Sequence, residues 1–168
     1  LFDARGERTK KQILHAFSAL DGKMRVRCLD VYTIDADHLA PSWITEAFCD
    51  PVVQDLSINS PLLDDFSWYI EVGYKPGVTD NVGKTAREAV ELLLGESYKG
   101  KVKVYTSRQY LIRGKVSAND IEKIAAGQLA NELIESWDIV RGKDWDPAKG
   151  MAPHVPRVSG GESALVEE

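Results

Sequence analysis

Val78-Thr-Asp-Asn-Val-Gly-Lys-Thr-Ala86 resembles Leu1-Phe-Asp-Ala-Arg-Gly-Glu-Arg-Thr9, and that likeness decides how the whole chain is read. Asp80 falls on Asp3 and Gly83 on Gly6, and the helical pattern runs on through Val90 and Leu94 in one copy, Ile13 and Phe17 in the other. A second anchor follows in the same order. Phe48-Cys-Asp-Pro-Val-Val-Gln-Asp-Leu-Ser-Ile58 parallels Leu129-Ala-Asn-Glu-Leu-Ile-Glu-Ser-Trp-Asp-Ile139, so that Val52 and Val53 match Leu133 and Ile134, and Leu56 matches Trp137. Fixed-period self-similarity takes precedence over single motifs. The chain therefore reads as two copies of one α+β unit, residues 1–60 and 64–142, with 143–168 as a linker or tail.

The second copy sets the pattern. Phe66 to Tyr74 alternates, with Trp68, Ile70, Val72 and Tyr74 on one face and Glu71 on the other, as a half-buried strand does. Lys75-Pro-Gly77 ends it, because proline cannot donate to a ladder and glycine permits a turn. Asp80 then caps a helix with Val82, Ala86, Ala89, Val90 and Leu93 on its apolar face, closed by Gly95. Val102, Val104, Tyr110 and Ile112 keep one parity across Lys101 to Arg113, which suits a strand, or a hairpin broken near Ser107. Ser117 or Asn119 caps a second helix with Ile121, Ile124, Ala125 and Leu129 inward, and a short strand near Leu133 to Val140 finishes the unit. The expected order is β-α-β-β-α-β, an α+β fold of ferredoxin-like units with helices on one face of an antiparallel sheet.

The first copy shows the same order without its opening strand, which is expected in the parent protein. Its phase slips near Cys28 and Leu29, which predicts a bulge. An incomplete sheet has an unpaired edge, and that edge offers a route to homo-oligomers.

Composition narrows the function classes. The 168 residues are 43% hydrophobic and 28% charged with a formal net charge of -5, values of an ordinary globular chain. A nucleic-acid partner needs a concentrated basic face, and the densest basic stretch, Arg5 to Lys11, is interrupted by Glu7 and reads as a solvated helix face. No nucleic-acid or membrane partner is expected, since no apolar run is long enough to span a bilayer. Cys28 and Cys49 are isolated among apolar neighbours, as reduced core thiols of a cytoplasmic protein are.

The search for chemistry yields weak candidates. His15, His38 and His154 have no nucleophile or second ligand at useful spacing. The pairs Asp35/Asp37 and Asp64/Asp65 suit capping and loop solvation better than a cation. Gly77 to Gly83 precedes a helix start, but it lacks the lysine and hydroxyl ending of a phosphate loop, and Asp80 there repels phosphate. The four tryptophans form no stacking platform. No catalytic, cofactor-binding or metal residue is assigned.

Lys75-Pro-Gly-Val-Thr-Asp-Asn-Val-Gly-Lys-Thr-Ala-Arg-Glu-Ala89 and Val104-Tyr-Thr-Ser-Arg-Gln-Tyr-Leu111 resemble the N-terminal region of large forms of phosphoribosylformylglycinamidine synthase. Val102 to Gly114 with Ser117 to Val140 is similar to the small PurS-type subunit of that enzyme, and in the large forms two such halves are fused. The resemblance covers Leu1 to about Arg141. It implies a part of an ATP- and glutamine-dependent ligase of purine biosynthesis, joining a synthetase and a glutaminase portion as its partners. ATP and magnesium would belong to the synthetase portion, and no catalytic residue carries over to this chain. A module that binds a small molecule between paired units, with Lys75 to Gly83 as one wall, is the reading from another class.

Overall fold

The computed structural model describes residues 3–20, 24–37, 39–146 and 154–156. Within them one antiparallel sheet of four strands carries the fold, β1 (Arg25–Asp35), β2 (Trp68–Tyr74), β3 (Lys103–Arg113) and β4 (Glu135–Arg141), in the order β1-β3-β2-β4. The helices are α1 (Ala4–Ala16), α2 (Pro41–Phe48), α3 (Asn81–Leu94) and α4 (Ala118–Ile124), the last continuing into a π turn over Ala125–Leu129. The fold is α+β, as the sequence indicates.

Period-two alternation places Val26, Cys28, Trp68, Ile70, Val72, Tyr110, Ile112, Trp137 and Ile139 on one face of the sheet. Ile13, Ile121, Ile124, Ala125 and Leu129 from α1, α4 and the π turn close over them. Ile13, Ile70, Ile112, Ile121 and Ile124 are fully enclosed, and each such side chain contributes about 1.5–3 kcal/mol of transfer free energy. A second cluster, Ala86, Val90, Val102 and Val104 with Ile34 and Phe48, lies under α3 and α2. The other face holds Tyr69, Leu111, Leu29 and Val140, covered in part by Phe66 and Trp145. Helices and tail thus lie on opposite sides of the same sheet.

Four local expectations need correction. β3 is one continuous strand of 11 residues with no hairpin at Ser107, so the second segment runs β-α-β-α-β. β1 pairs with β3 without a skipped residue from Arg25↔Arg113 to Asp35↔Lys103, so there is no bulge at Cys28; the phase change reflects Asp30 and Tyr32 on the helix-facing parity. In α3 the buried stripe is Gly83, Ala86 and Val90, while Val82 and Leu93 are exposed, because the helix is rolled to bring Gly83 against β3. Glu71 is 3% exposed and faces no water.

The likeness between the two segments has a geometric counterpart. Asp3 caps α1 through a bond from the Gly6 amide (2.7 Å) and accepts the Cys28 amide (2.8 Å) with its other carboxylate oxygen. Asp80 caps α3 through the Gly83 amide (2.7 Å) and accepts the Thr106 amide (2.8 Å) in the same manner. Each carboxylate ties a helix start to a strand. A Cβ on Gly83 would stand 2.8 Å from the Val104 carbonyl oxygen, and one on Gly6 would overlap the Val26 carbonyl oxygen. Side chains are excluded at both crossings because helix backbone meets strand backbone there.

The second anchor repeats too. The Asp50 carboxylate accepts the Val52 amide, and the Asp50 amide donates to the Gln54 side chain (2.8 Å). The Asn131 side chain accepts the Leu133 amide, and the Asn131 amide donates to the Glu135 side chain (2.8 Å). β1 and β3 pair antiparallel, with Asp30 facing Arg108 midway between the two helix–strand contacts.

Candidate functional site

Polar side chains gather on both faces of the sheet beside β3. On the helix side, a cleft of about 240 Å³ opens beside the Asp30–Arg108 pairing, lined among others by Asp30, Tyr32, Tyr74, Val82, Thr106 and Arg108. It arises because Thr106 and Arg108 interrupt the apolar parity of Val104, Tyr110 and Ile112, leaving a polar strip between the two clusters under the helices. Arg5 of α1 donates to both oxygens of Asp30 (2.9 and 2.8 Å). Arg108 pairs with Glu135 at 2.6 Å, and the second Glu135 oxygen holds the turn at Asn131. Both pairs are partly open to water, where a single ion pair contributes little, so their role is to align groups around the cleft. Burial raises the affinity of the Tyr110 hydroxyl for its proton, with the Arg108 charge opposing. At neutral pH that hydroxyl is a neutral hydrogen-bonding group.

On the other face Glu71, Ser107 and Gln109 are 3%, 5% and 8% exposed. Ser107 Oγ donates to Glu71 Oε1 (2.5 Å), while Tyr69 Oη and Gln109 Nε2 donate to Oε2. Burial pushes the Glu71 carboxyl above its ordinary range, partly offset by the hydrogen bonds from Ser107 and Gln109. The tail lies against this side. His154 Nε2 is 3.1 Å from the Tyr74 carbonyl oxygen, and its ring occupies the space that a side chain on Gly73 would take. Trp145 packs on Phe66 with ring centroids 5.1 Å apart. The arrangement is a hydrogen-bonded carboxyl sealed between strand and tail. Ser107 donates to the Glu71 carboxyl, and the His154 ring lies against Gly73, the cross-strand neighbour of Ser107, with its Nε2 at the Tyr74 carbonyl, so the groups fix one another rather than an incoming molecule.

The candidates taken from the sequence disperse. Asp35 pairs with Lys103 and Asp65 with Arg113, both at the surface. Cys28 is half-buried beside Thr9, and burial pushes its thiol up, away from the reactive thiolate. Cys49 lies in a separate turn near the Gln54 carbonyl. His15 ends α1, and His38 falls outside the described residues. Asp80 occupies the start of α3, and the Gly77–Gly83 segment contributes Val82 to the cleft. Trp68 donates to the Val116 carbonyl and stacks under Arg141, while Trp137 donates to Glu122.

Glu71, Ser107, Gln109 and the Arg108–Glu135 pair were not singled out from the sequence. The available signals were the lone charge within Trp68–Tyr74 and the polar intrusion at Thr106 and Arg108 on a core-facing parity. Among the described residues no group of three or more metal-ligating side chains is found, and no helix is long and apolar enough to cross a membrane. Compared with known proteins, the chain matches no family model, no curated protein and no solved structure.

Proposed function

We propose that this chain is the duplicated PurS-like region of a phosphoribosylformylglycinamidine synthase, a noncatalytic part that joins the synthetase and glutaminase portions. One observation carries the reading. The two segments that resemble one another in sequence repeat the same contacts in space, Asp3 with Gly6 and Cys28, Asp80 with Gly83 and Thr106. Two fused halves of one kind are what the resemblance implies. Exposed apolar side chains supply docking points: Leu92 is 84% and Leu133 86% exposed, and Val52 and Val53 stand in the turn equivalent to that of Leu133. Such side chains are what a surface covered by partner domains offers. ATP and magnesium act in the synthetase portion, and the setting is cytoplasmic purine biosynthesis.

The test is to mix the chain with separately purified glutaminase and synthetase portions on a sizing column. Co-elution of all three with a rise in glutamine-dependent turnover is expected. Association of the two portions to the same extent without this chain would overturn the bridging role.

The cleft beside the Asp30–Arg108 pairing favours a second reading, a module that binds a small polar molecule between Arg108, Asp30 and Thr106. A thermal shift with nucleotides, purines or amino acids that is abolished by Thr106→Val supports it, because binding to the folded state alone raises the melting temperature by mass action. Indifference to all three classes removes it.

A further inference from the structure

Where β3 and β4 leave the sheet and β2 begins, an open cleft of about 470 Å³ is lined among others by Trp68, Lys115, Val116, Arg141 and Lys143. Among the described residues no carboxylate lines it, and none forms an ion pair with Lys115, Arg141 or Lys143. In a chain with a formal net charge of -5, three unneutralised cations around one concave place concentrate positive potential there. We propose that this cleft binds a small organic phosphate, with its phosphate group held by Lys115, Arg141 and Lys143 and its organic part against Trp68 and Val116.

The backbone that carries the charges is tied in place by the start of β2. The Gly114 amide donates to Ser67 Oγ (3.2 Å), and Trp68 Nε1 donates to the Val116 carbonyl oxygen (3.0 Å), which fixes the segment leading to α4. The Gly142 amide donates to the Ser67 carbonyl oxygen (2.8 Å), which fixes the exit of β4. Lys115 therefore stands in one loop and Arg141 and Lys143 at the other, with Ser67 and Trp68 holding both. Glycine is required on each side. Gly114 has a φ of 147°, and a Cβ on Gly142 would overlap the Phe66 carbonyl oxygen.

Arg141 is oriented as well as placed. Its guanidinium lies over the Trp68 ring, 5.0 Å from the centroid. Such a contact positions a cation without neutralising it. Lysine and arginine side chains only donate, so their complement is an acceptor that carries negative charge. A phosphate group presents three acceptor oxygens to three cations, whereas a carboxylate presents two. Asp120 accepts the Ser117 hydroxyl (2.7 Å) and is engaged in the cap of α4.

The size and lining point to an ester rather than the free ion. The volume falls within the range of about 300–1,000 Å³ typical of small-molecule sites. Trp68 and Val116 add an apolar wall beside the cations, which a free phosphate ion would leave unused. This cleft shares no lining residue with the one beside the Asp30–Arg108 pairing, and it includes neither Leu92 nor Leu133. Its test is therefore read separately from the sizing column and from the Thr106→Val thermal shift.

Proton–nitrogen correlation spectra of the 168-residue chain decide it, recorded while phenyl phosphate, inorganic phosphate or benzoate is added at constant ionic strength. Phenyl phosphate is expected to give saturable shifts at the Gly114 and Gly142 amides and at Trp68 Nε1–H. It should bind at least about fivefold more tightly than the other two probes. Lys115→Gln and Lys143→Gln are each expected to weaken it by about fivefold, the upper range for one exposed charge pair. Neither lysine forms a hydrogen bond or ion pair among the described residues, so the remaining resonances should stay in place in both variants. Absence of saturable shifts at the three positions, or full affinity in both variants, overturns the proposal. Inorganic phosphate binding as tightly as phenyl phosphate makes the free ion the ligand and overturns the organic part. Benzoate binding as tightly shows that a phosphate group is not what the cations select, which overturns the assignment.

Discussion

Glu71 sits at the centre of β2 with three side-chain donors around it and almost no water. Desolvation favours its neutral form, so the folded-state pKa lies above the value of about 4.3 for an unfolded chain. A carboxyl with a raised pKa favours folding fully below its unfolded value. That contribution is lost as pH rises through the folded value, where the buried group must ionise. Glu71→Gln keeps the shape and removes the ionisation. The variant is expected to gain stability relative to the parent between about pH 5 and 8, with the difference vanishing below about pH 4, the range set by the ordinary glutamate pKa. Urea midpoints measured across that range for both proteins check it. A difference independent of pH would mean that folding leaves the Glu71 pKa unshifted.

At the scale of the element, one residue pair sets each helix–strand unit. The Asp3 carboxylate satisfies a helix-start amide and a strand amide together, and Asp80 does the same and also accepts the Thr106 hydroxyl (2.8 Å). Loss of an N-cap costs about 0.5–2 kcal/mol, and a strand amide left unpaired adds to it. Asp3→Ala and Asp80→Ala are each expected to destabilise by about 1–3 kcal/mol on that basis. The double variant should equal their combined effect within about 0.5 kcal/mol, since the two sites share no partner. Chemical denaturation of the four proteins decides, and a strongly non-additive double variant would show that the two units are coupled through the β1–β3 seam. The glycines play the complementary part. Gly6 and Gly83 lie in the first turn of their helices, where alanine ordinarily stabilises, yet Val26 and Val104 present carbonyl oxygens where that methyl would go.

The whole molecule buries one face of its sheet under helices and part of the other under the tail, while leaving Leu92 and Leu133 almost fully open. These two side chains contribute little to the fold itself. Leu92→Asp and Leu133→Asp should each leave stability within about 0.5 kcal/mol, the usual range for surface substitutions. On the proposed function, at least one of them weakens co-elution with the synthetase or glutaminase portion by about tenfold, since a buried charge without a partner is costly in an apolar contact. Unaltered assembly in both variants would remove these leucines from the docking surface.

Alternation in Trp68–Tyr74, the cap at Asp80, the stop at Gly95 and the inward stripe of Ile121, Ile124, Ala125 and Leu129 are local features, and the sequence by itself determined them, whereas the choice of Ser117 over Asn119 as the cap of α4 came from the structure. They depend on neighbours a few residues away, where periodicity and capping chemistry act directly. The likeness of the two segments was equally legible, because Asp3 with Gly6 and Asp80 with Gly83 are spaced by one helical turn. Only the tertiary structure decided that β1 from the first segment joins the sheet of the second, that β3 runs unbroken through Ser107, and that Glu71 is buried. Each of these depends on a pairing across tens of residues, Cys28 with Tyr110 or Glu71 with Gln109, and on a tail that returns to cover a strand face. A strand's own alternation distinguishes its two faces but does not say what arrives to cover the second one.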